Sequence, residues 1–496
     1  DGATILKEID VQHPAAKMMV EISKTTDNEV GDGTTSAVVL AGALLEKAED
    51  LISKNVHPTV IVSGYRKALR KAIEVLEKVA IKVSPTDKKA LMQVCRTSML
   101  SKLVSREAEP LANLTVDALI EIAEKTPDGY KVDIDNLKVD KKAGGSLSDT
   151  TLIKGIILDK EVVHSGMPKR ITKAKIALLN SPLEIEKTEF DAKINITDPE
   201  QMKMFLDEEN NMLKGMVDKL VDSGANVVVC QKGIDDMAQH YLAKANILTV
   251  RRVKQSDIDK LAKATGGIVV STIDDLSVKD LGFAQLVEER KIEDDKWVFV
   301  EGCKNPDAVT IFIRGGSSKI VDEADRSLHD AIMVCKDVIE NPSIVAGGGS
   351  IEMQVAQEVR NWSNTLSGRE QLAVQKYADA MESIPLTLAT NAGMDPIDTL
   401  VELKAAHKKG KLWAGIAMPE GKVMDLKAKE IFEPLAVKLQ ILKSCTESVS
   451  MILRIDDVIA ATKMAAPPMP PGGDMGGMGG MGGMGGMGGM GGMGDM

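Results

Sequence analysis

What most constrains this chain is the order of its hydrophobic periodicities: helical text at both ends and alternating strand and helix text between them. After Gly31-Asp32-Gly33-Thr34-Thr35, the apolar residues Val38, Ala41, Leu45, Ala48 and Ile52 recur at three- and four-residue steps and trace one helix face. Pro58 opens a second helix, with Ile61, Tyr65, Leu69, Ile73 and Leu76 on its stripe. Helical text continues from about 90 to 150, where Gly144-Gly145 and a Ser/Asp-rich stretch interrupt it. Between about 155 and 305, short β-branched runs (Lys175–Leu179, Ala225–Cys230, Ile247–Val250, Gly267–Ser271) alternate with helical segments, which predicts an α/β domain. A strand at Ala308–Arg314 and a helix running through Asp330 follow. Beyond Ala346-Gly347-Gly348-Gly349 the text is helical to about 462. Such a pattern predicts a nested chain whose outer halves pair while the middle projects.

One stretch fits the α/β domain poorly. Glu184 to Thr197 is charged, with isolated Ile and Phe, and ends in Asp198-Pro199-Glu200-Gln201, a capping-box arrangement opening a helix with Met202, Phe205, Leu206, Met212 and Met216. It reads as an exposed excursion. Pro467 to Pro471 is followed by Gly-Gly-Met triplets to Met496, which cannot bury enough surface to offset chain entropy and are expected to be disordered.

A length of 496 residues suggests about three domains. The net charge of −11 excludes the basic footprint of a nucleic-acid binder, and 3% aromatics leaves few stacking platforms for single strands. Neither an apolar run of membrane-spanning length nor a signal-peptide pattern is present. Cys95, Cys230, Cys303, Cys335 and Cys445 are scattered without CxxC spacing, so they read as buried thiols in a reducing cytoplasm. The chain starts at Asp1 inside what reads as a structured element, so it is expected to be truncated.

No GxxxxGK[ST], GxGxxG or HExxH occurs. Gly31-Asp32-Gly33-Thr34-Thr35-Ser36 precedes a helix, where exposed N–H groups favour phosphate and Asp32 could hold Mg²⁺; a tight turn with Thr34 as N-cap is the commoner reading of such a segment alone. Gly347-Gly348-Gly349-Ser350 repeats the arrangement and reads equally as a linker. Asp1-Gly2 is a third acidic turn. Asp330 and Lys102 read by themselves as solvated charges, and His329 has no Ser or Cys motif beside it.

Taken together and in order, Asp1-Gly2-Ala3-Thr4-Ile5-Leu6, HPAAKMM (13–19), GDGTT (31–35), LHDA (328–331), AGGG (346–349), SGREQLA (367–373), NAGMDPID (391–398) and RIDDVIAA (454–461) resemble the group II chaperonins, and the tail looks like that of archaeal thermosome subunits. The resemblance implies a multidomain α and α/β chaperonin fold. A helical equatorial ATPase domain would comprise 1–86 and 345–462, a small intermediate domain 87–155 and 303–344, and an α/β apical domain 156–302. A helical protrusion at about 182–215 would serve as a built-in lid, with 463–496 as a disordered tail. It further implies ATP-dependent folding of unfolded client proteins inside a cytoplasmic double ring of like subunits, homo- or hetero-oligomeric, without nucleic-acid or membrane partners.

By the same resemblance, Gly2, Gly31, Asp32, Gly33, Thr34, Thr35 and Ser36 would surround the phosphates of ATP, with Asp32 as the Mg²⁺ ligand. Gly348 and Gly349 would lie against the nucleotide, Glu433 would contact the ribose, and Lys102 would sense the γ-phosphate. Asp330 would position the attacking water, with Asp1 as a second acid. Family members carry several dozen residues ahead of the position matching Asp1, including a Gly-Pro-Lys-Gly-type phosphate loop. Hydrolysis by the chain without them is expected to be impaired. Gly415 to Gly421 occupies a segment where the family often places a polar residue near the adenine, so base contacts are expected to differ. Rival readings are a small-molecule kinase, for which no second-substrate cluster is evident, and an ATP-binding scaffold with little hydrolysis, which would not need both Asp32 and Asp330.

Overall fold

A computed structural model describes residues 2–127, 129–185, 199–304 and 308–457. The helices Pro14–Val30 and Pro58–Val79 start in the same way: His13 and His57 each cap the helix by accepting a backbone N–H, from Ala15 and Thr59 respectively, and proline occupies the first helical position. Helix Thr34–Ile52 lies between them in sequence. All three bury their apolar stripes against Ser350–Ser363, Arg369–Met381 and Leu435–Ile452 in one core that includes Leu40, Leu44, Tyr65, Val355, Tyr377 and Val449. Residues more than 300 positions apart are thereby joined. The Tyr65 hydroxyl donates to the Leu44 carbonyl at 2.8 Å, and its ring meets Tyr377 edge-on at 5.5 Å.

A second core joins helices Lys88–Leu100, Ala108–Ile122 and Ser318–Glu340 to a three-stranded sheet in which Val309–Gly315 lies between Leu137–Ala143 and Thr151–Ile153. Here the helical reading to about 150 needs correction. Helix ends at Ile122, and Ala123–Thr126 and Gly129–Val132 form a hairpin before the strand Leu137–Ala143. Charged residues in these short strands, Glu124, Lys125, Lys131, Lys138 and Asp140 among them, blur the period-two signal by breaking the alternation of apolar and polar positions. Likewise, the text after 345 is not wholly helical. Ser343–Ala346 pairs with Ile81–Lys82 on one side and Phe432–Pro434 on the other, and Ala414–Ala417 pairs with Lys422–Asp425. Elements of two to four residues are too short to show periodicity.

Residues 155–304 contain a third core around a seven-stranded mixed sheet with Arg170–Leu179 at its centre. Parallel strands Val227–Cys230 and Leu248–Val250 lie to one side; to the other lies the long antiparallel pair Gly282–Ile292 and Asp295–Cys303, registered Leu286 to Glu301 and Arg290 to Trp297. The sequence reading did not mark this pair, because Glu288, Glu289 and Arg290 interrupt the apolar alternation; Arg290 answers Glu301 with two 2.8 Å hydrogen bonds. Helix Pro199–Asp222 buries Leu213, Val217 and Leu220 but leaves Met202, Met204, Phe205, Leu206 and Met212 exposed, so its early Met stripe is not core. Of the excursion expected at about 182–215, residues 186–198 lie outside the described residues, and Asp198 of the expected capping box with them. So do Asp1 and the tail 463–496. Among the described residues, no helix is long and apolar enough to cross a membrane.

A candidate nucleotide site between the helical cores

Two adjoining cavities of about 370 and 230 Å³ open where the first and second cores meet. Asp32, Gly33 and Ser36 line both; Thr34, Thr35, Lys102 and Asp330 line the larger; Gly348, Gly349 and Glu433 line the smaller. The 31–36 turn arises from two left-handed glycines. Gly31 (φ 69°) closes helix Pro14–Val30, its N–H donating to the Thr26 and Asp27 carbonyls. Gly33 (φ 79°), not Thr34, is the N-cap of Thr34–Ile52, with no side-chain cap, so the first N–H groups of a 19-residue helix face the cavity region. Gly33 N–H donates to Asp32 Oδ1 at 2.7 Å. Gly31 itself sits back from the cavity, against Met333. Gly2 lies against Thr35, where an added Cβ would come 2.6 Å from Thr35 Oγ1.

Asp330 belongs to the buried face of Ser318–Glu340, among Leu328, Ala331 and Ile332, and is only 6% exposed. The Lys102 ammonium, placed by the turn that ends Lys88–Leu100, reaches Asp330 Oδ2 at 2.5 Å and Ser98 Oγ at 3.4 Å. A carboxylate at this depth requires such a partner. His329 Nδ1 lies 3.7 Å from the other Asp330 oxygen. The Asp330 carboxylate beside it holds the imidazole above its ordinary pKa against partial burial, and the charges of Asp27 and Asp325 add to this. Asp27, His329 and Asp330 bring possible ligand atoms within 4.8 Å of one another, a grouping the sequence reading did not make.

The pairing of Ser343–Ala346 with Phe432–Pro434 places Glu433 directly: Val345, two residues before the glycine triplet, is in register with Glu433. Gly347 N–H donates to the Ile431 carbonyl, and the Gly348 carbonyl accepts from Ile416 N–H at 2.9 Å. Gly348 and Gly349 have φ of 60° and 74°, which a linker need not adopt but a turn into helix Ser350–Ser363 does. The backbone hydrogen bond between Ile416 and Gly348 brings the segment containing Gly415 and Ile416 onto the glycine turn. The sequence reading missed Ser98, Ser101, Thr387 and Asn391, which line the cavities, and also Glu352 and Lys438. Glu352, third in its helix after a glycine turn, carried a weak signal, and Asn391 opens the NAGMDPID run without a role assigned to it; the others carried none.

A carboxylate and hydroxyls beside a helix N-terminus, facing a buried acid–lysine pair from another element, form a site suited to a polyphosphate and a hard cation. The sequence matches the TCP-1/cpn60 chaperonin family over residues 1–463. It is 56% identical over 461 residues to the thermosome subunit alpha of Archaeoglobus fulgidus, covering 93% of this chain and 85% of that one. With the thermosome subunit of Methanopyrus kandleri it shares 55% identity over 465 residues, covering 94% and 85%. In three dimensions it is similar to the open-state monomer of a group II chaperonin from Methanococcoides burtonii, with a TM-score of 0.65 and 44% identity, covering 86% of this chain and all of that one.

Proposed function

The chain belongs to the TCP-1/cpn60 chaperonin family, and from that premise we propose that it is an ATP-hydrolysing subunit of a double-ring folding chamber whose nucleotide occupies the paired cavities. The observation that carries this reading is the convergence of Asp32, Lys102–Asp330 and Gly348–Glu433, from separate stretches of chain, on adjoining cavities. In this reading residues 1–86 and 345–462 form the equatorial domain, 87–155 and 303–344 the intermediate domain, and 156–302 the apical domain; the three separate apolar cores support that division.

The N–H groups opening helix Thr34–Ile52 hold phosphate oxygens, and the Thr35 and Ser36 hydroxyls add donors. Asp32 makes no ion pair among the described residues, and its carboxylate lines both cavities. With neighbouring hydroxyls it offers the hard oxygen donors that Mg²⁺ takes. When bound, Mg²⁺ neutralises charge on the phosphate oxygens. Lys102 faces the terminal phosphate, and Asp330 orients the attacking water and takes its proton. Because Asp32 and Asp330 belong to different cores, hydrolysis depends on how those cores close, which ties the chemistry to movement of the lid. Gly348 and Gly349 lie along the nucleotide and Glu433 meets the sugar. The exposed Met202, Met204 and Phe205 support contact with unfolded clients or with neighbouring lids. The ring, of one subunit type or several, works in the cytoplasm.

Asp330→Ala in the assembled protein tests the mechanism. ATP affinity is expected to stay within a few-fold while phosphate release falls by about a hundredfold or more. Undiminished turnover would remove Asp330 from the chemistry.

A further inference from the structure

Beside the glycine triplet lies a buried cation that no motif announces. Lys438 is 8% exposed, and its ammonium sits between Glu352 Oε1, at 2.8 Å, and the carboxylate of Glu433. All three side chains line the smaller cavity with Asp32, Gly348 and Gly349. Local rules disfavour a lysine here. It stands in the first turn of Leu435–Ile452, where the helix dipole opposes positive charge, and its charge is withdrawn from water. The two glutamates overcome that burial and carry its pKa above the ordinary lysine range. Buried ion pairs seldom add net stability over an apolar replacement, so orientation of the partners is the better reason for this one.

Glu433 is the member of the trio that opens to the cavity. Its side chain is 28% exposed, whereas Glu352 is 4% exposed. Gly347 walls the opposite side, since an added Cβ there would come 2.5 Å from Glu433 Oε1. Resting on the ATP reading above, we infer that Lys438 is a positioning residue for the nucleotide's sugar: it holds the Glu433 carboxylate aimed past Gly347 at the ribose hydroxyls, while Glu352 anchors the ammonium from behind. Burial pushes the Glu433 carboxyl up, Lys438 opposes it, and Glu352 and then Asp32 push it further up; these are the charged groups that face it. Removing the ammonium leaves three influences in one direction, so Glu433 takes up a proton closer to neutral pH and loses its fixed direction.

The test is calorimetric binding of ATP and 2′-deoxy-ATP to the full chain between about pH 6 and about pH 9. The native chain is expected to prefer ATP by about tenfold, the value of one hydrogen bond to a charged group. Lys438→Met should lose most of that preference near neutral pH and regain part of it as Glu433 ionises at higher pH; Lys438→Arg should retain it. Where Lys438→Met does not fold, Glu352→Gln/Lys438→Met removes one charge of each sign and should show the same loss. Glu433→Gln separates the two levels. If it keeps the native preference, the sugar reading of Glu433 fails; if it loses the preference while the Lys438 variants keep it at every pH, the positioning role alone is overturned.

Discussion

Two aspartates on one helix show how far a single neighbour decides a carboxylate's chemistry. Asp330 and Asp337 both lie on the buried side of Ser318–Glu340, at 6% and 7% exposure. Asp330 has the Lys102 ammonium; Asp337 Oδ2 has no hydrogen-bond partner among the described residues. Burial pushes the Asp337 carboxyl up to about 8, with Lys336 opposing and Glu340 and Glu29 adding to the rise. The folded chain therefore keeps this proton up to about pH 8, whereas the unfolded chain releases it near pH ~3.9. Between those values the folded state binds more protons, so this residue's contribution is full below the lower value and is lost as pH rises through the upper one. Asp337→Asn should accordingly raise unfolding free energy by roughly 5 kcal/mol at about pH 8 and change it little near pH 4. Urea unfolding at the two pH values checks this, and an equal gain at both would refute it.

At the scale of elements, the turn between helices Pro14–Val30 and Thr34–Ile52 works through backbone rather than side chains. Gly33 is left-handed, and an added Cβ would come 2.6 Å from Ile441 Cδ1 and 3.1 Å from Val437 Cγ1. Gly33→Ala therefore combines a left-handed alanine, about 1–2 kcal/mol, with displacement of the helix that carries Lys438. We expect a loss of about 2 kcal/mol in thermal or denaturant unfolding and at least tenfold weaker ATP binding. Substitution of Ser36, already inside the helix, should leave stability nearly unchanged. If Gly33→Ala binds ATP as the native chain does, the turn is not shaped for a ligand.

For the whole molecule, the revealing point is the join between the second and third cores. Lys138, 7% exposed on Leu137–Ala143, reaches Asp140 at 3.0 Å, Asp257 of helix Gln255–Thr265 at 2.9 Å and the Ile157 carbonyl at 2.6 Å. Lys260 Nζ donates back to the Leu137 carbonyl at 3.2 Å. This buried charge stitches one core to the next. Lys138→Met leaves Asp140 and Asp257 without their cation, which should destabilise the join by about 3–5 kcal/mol. Hydrogen exchange should then accelerate in 137–143 and 255–265 while 58–79, in the first core, stays protected. Uniform acceleration across all three would show that the cores do not open separately.

The nested order of helical and α/β text was legible because long amphipathic helices and β-branched strands carry their burial pattern in local spacing, as Pro58–Val79 and Arg170–Leu179 do. The glycine turns were legible too, as turns: Gly31, Gly33, Gly348 and Gly349 all take positive φ. Nothing local announced the short strands Ser343–Ala346 and Phe432–Pro434, yet their register is what sets Glu433 beside Gly347. Nor did spacing reveal that Lys102 meets Asp330 across 228 residues, or that Lys438 sits between Glu352 and Glu433. A charge by itself reads as solvated, because only the assembled chain withdraws it from water and supplies the opposite charge that makes its burial tolerable.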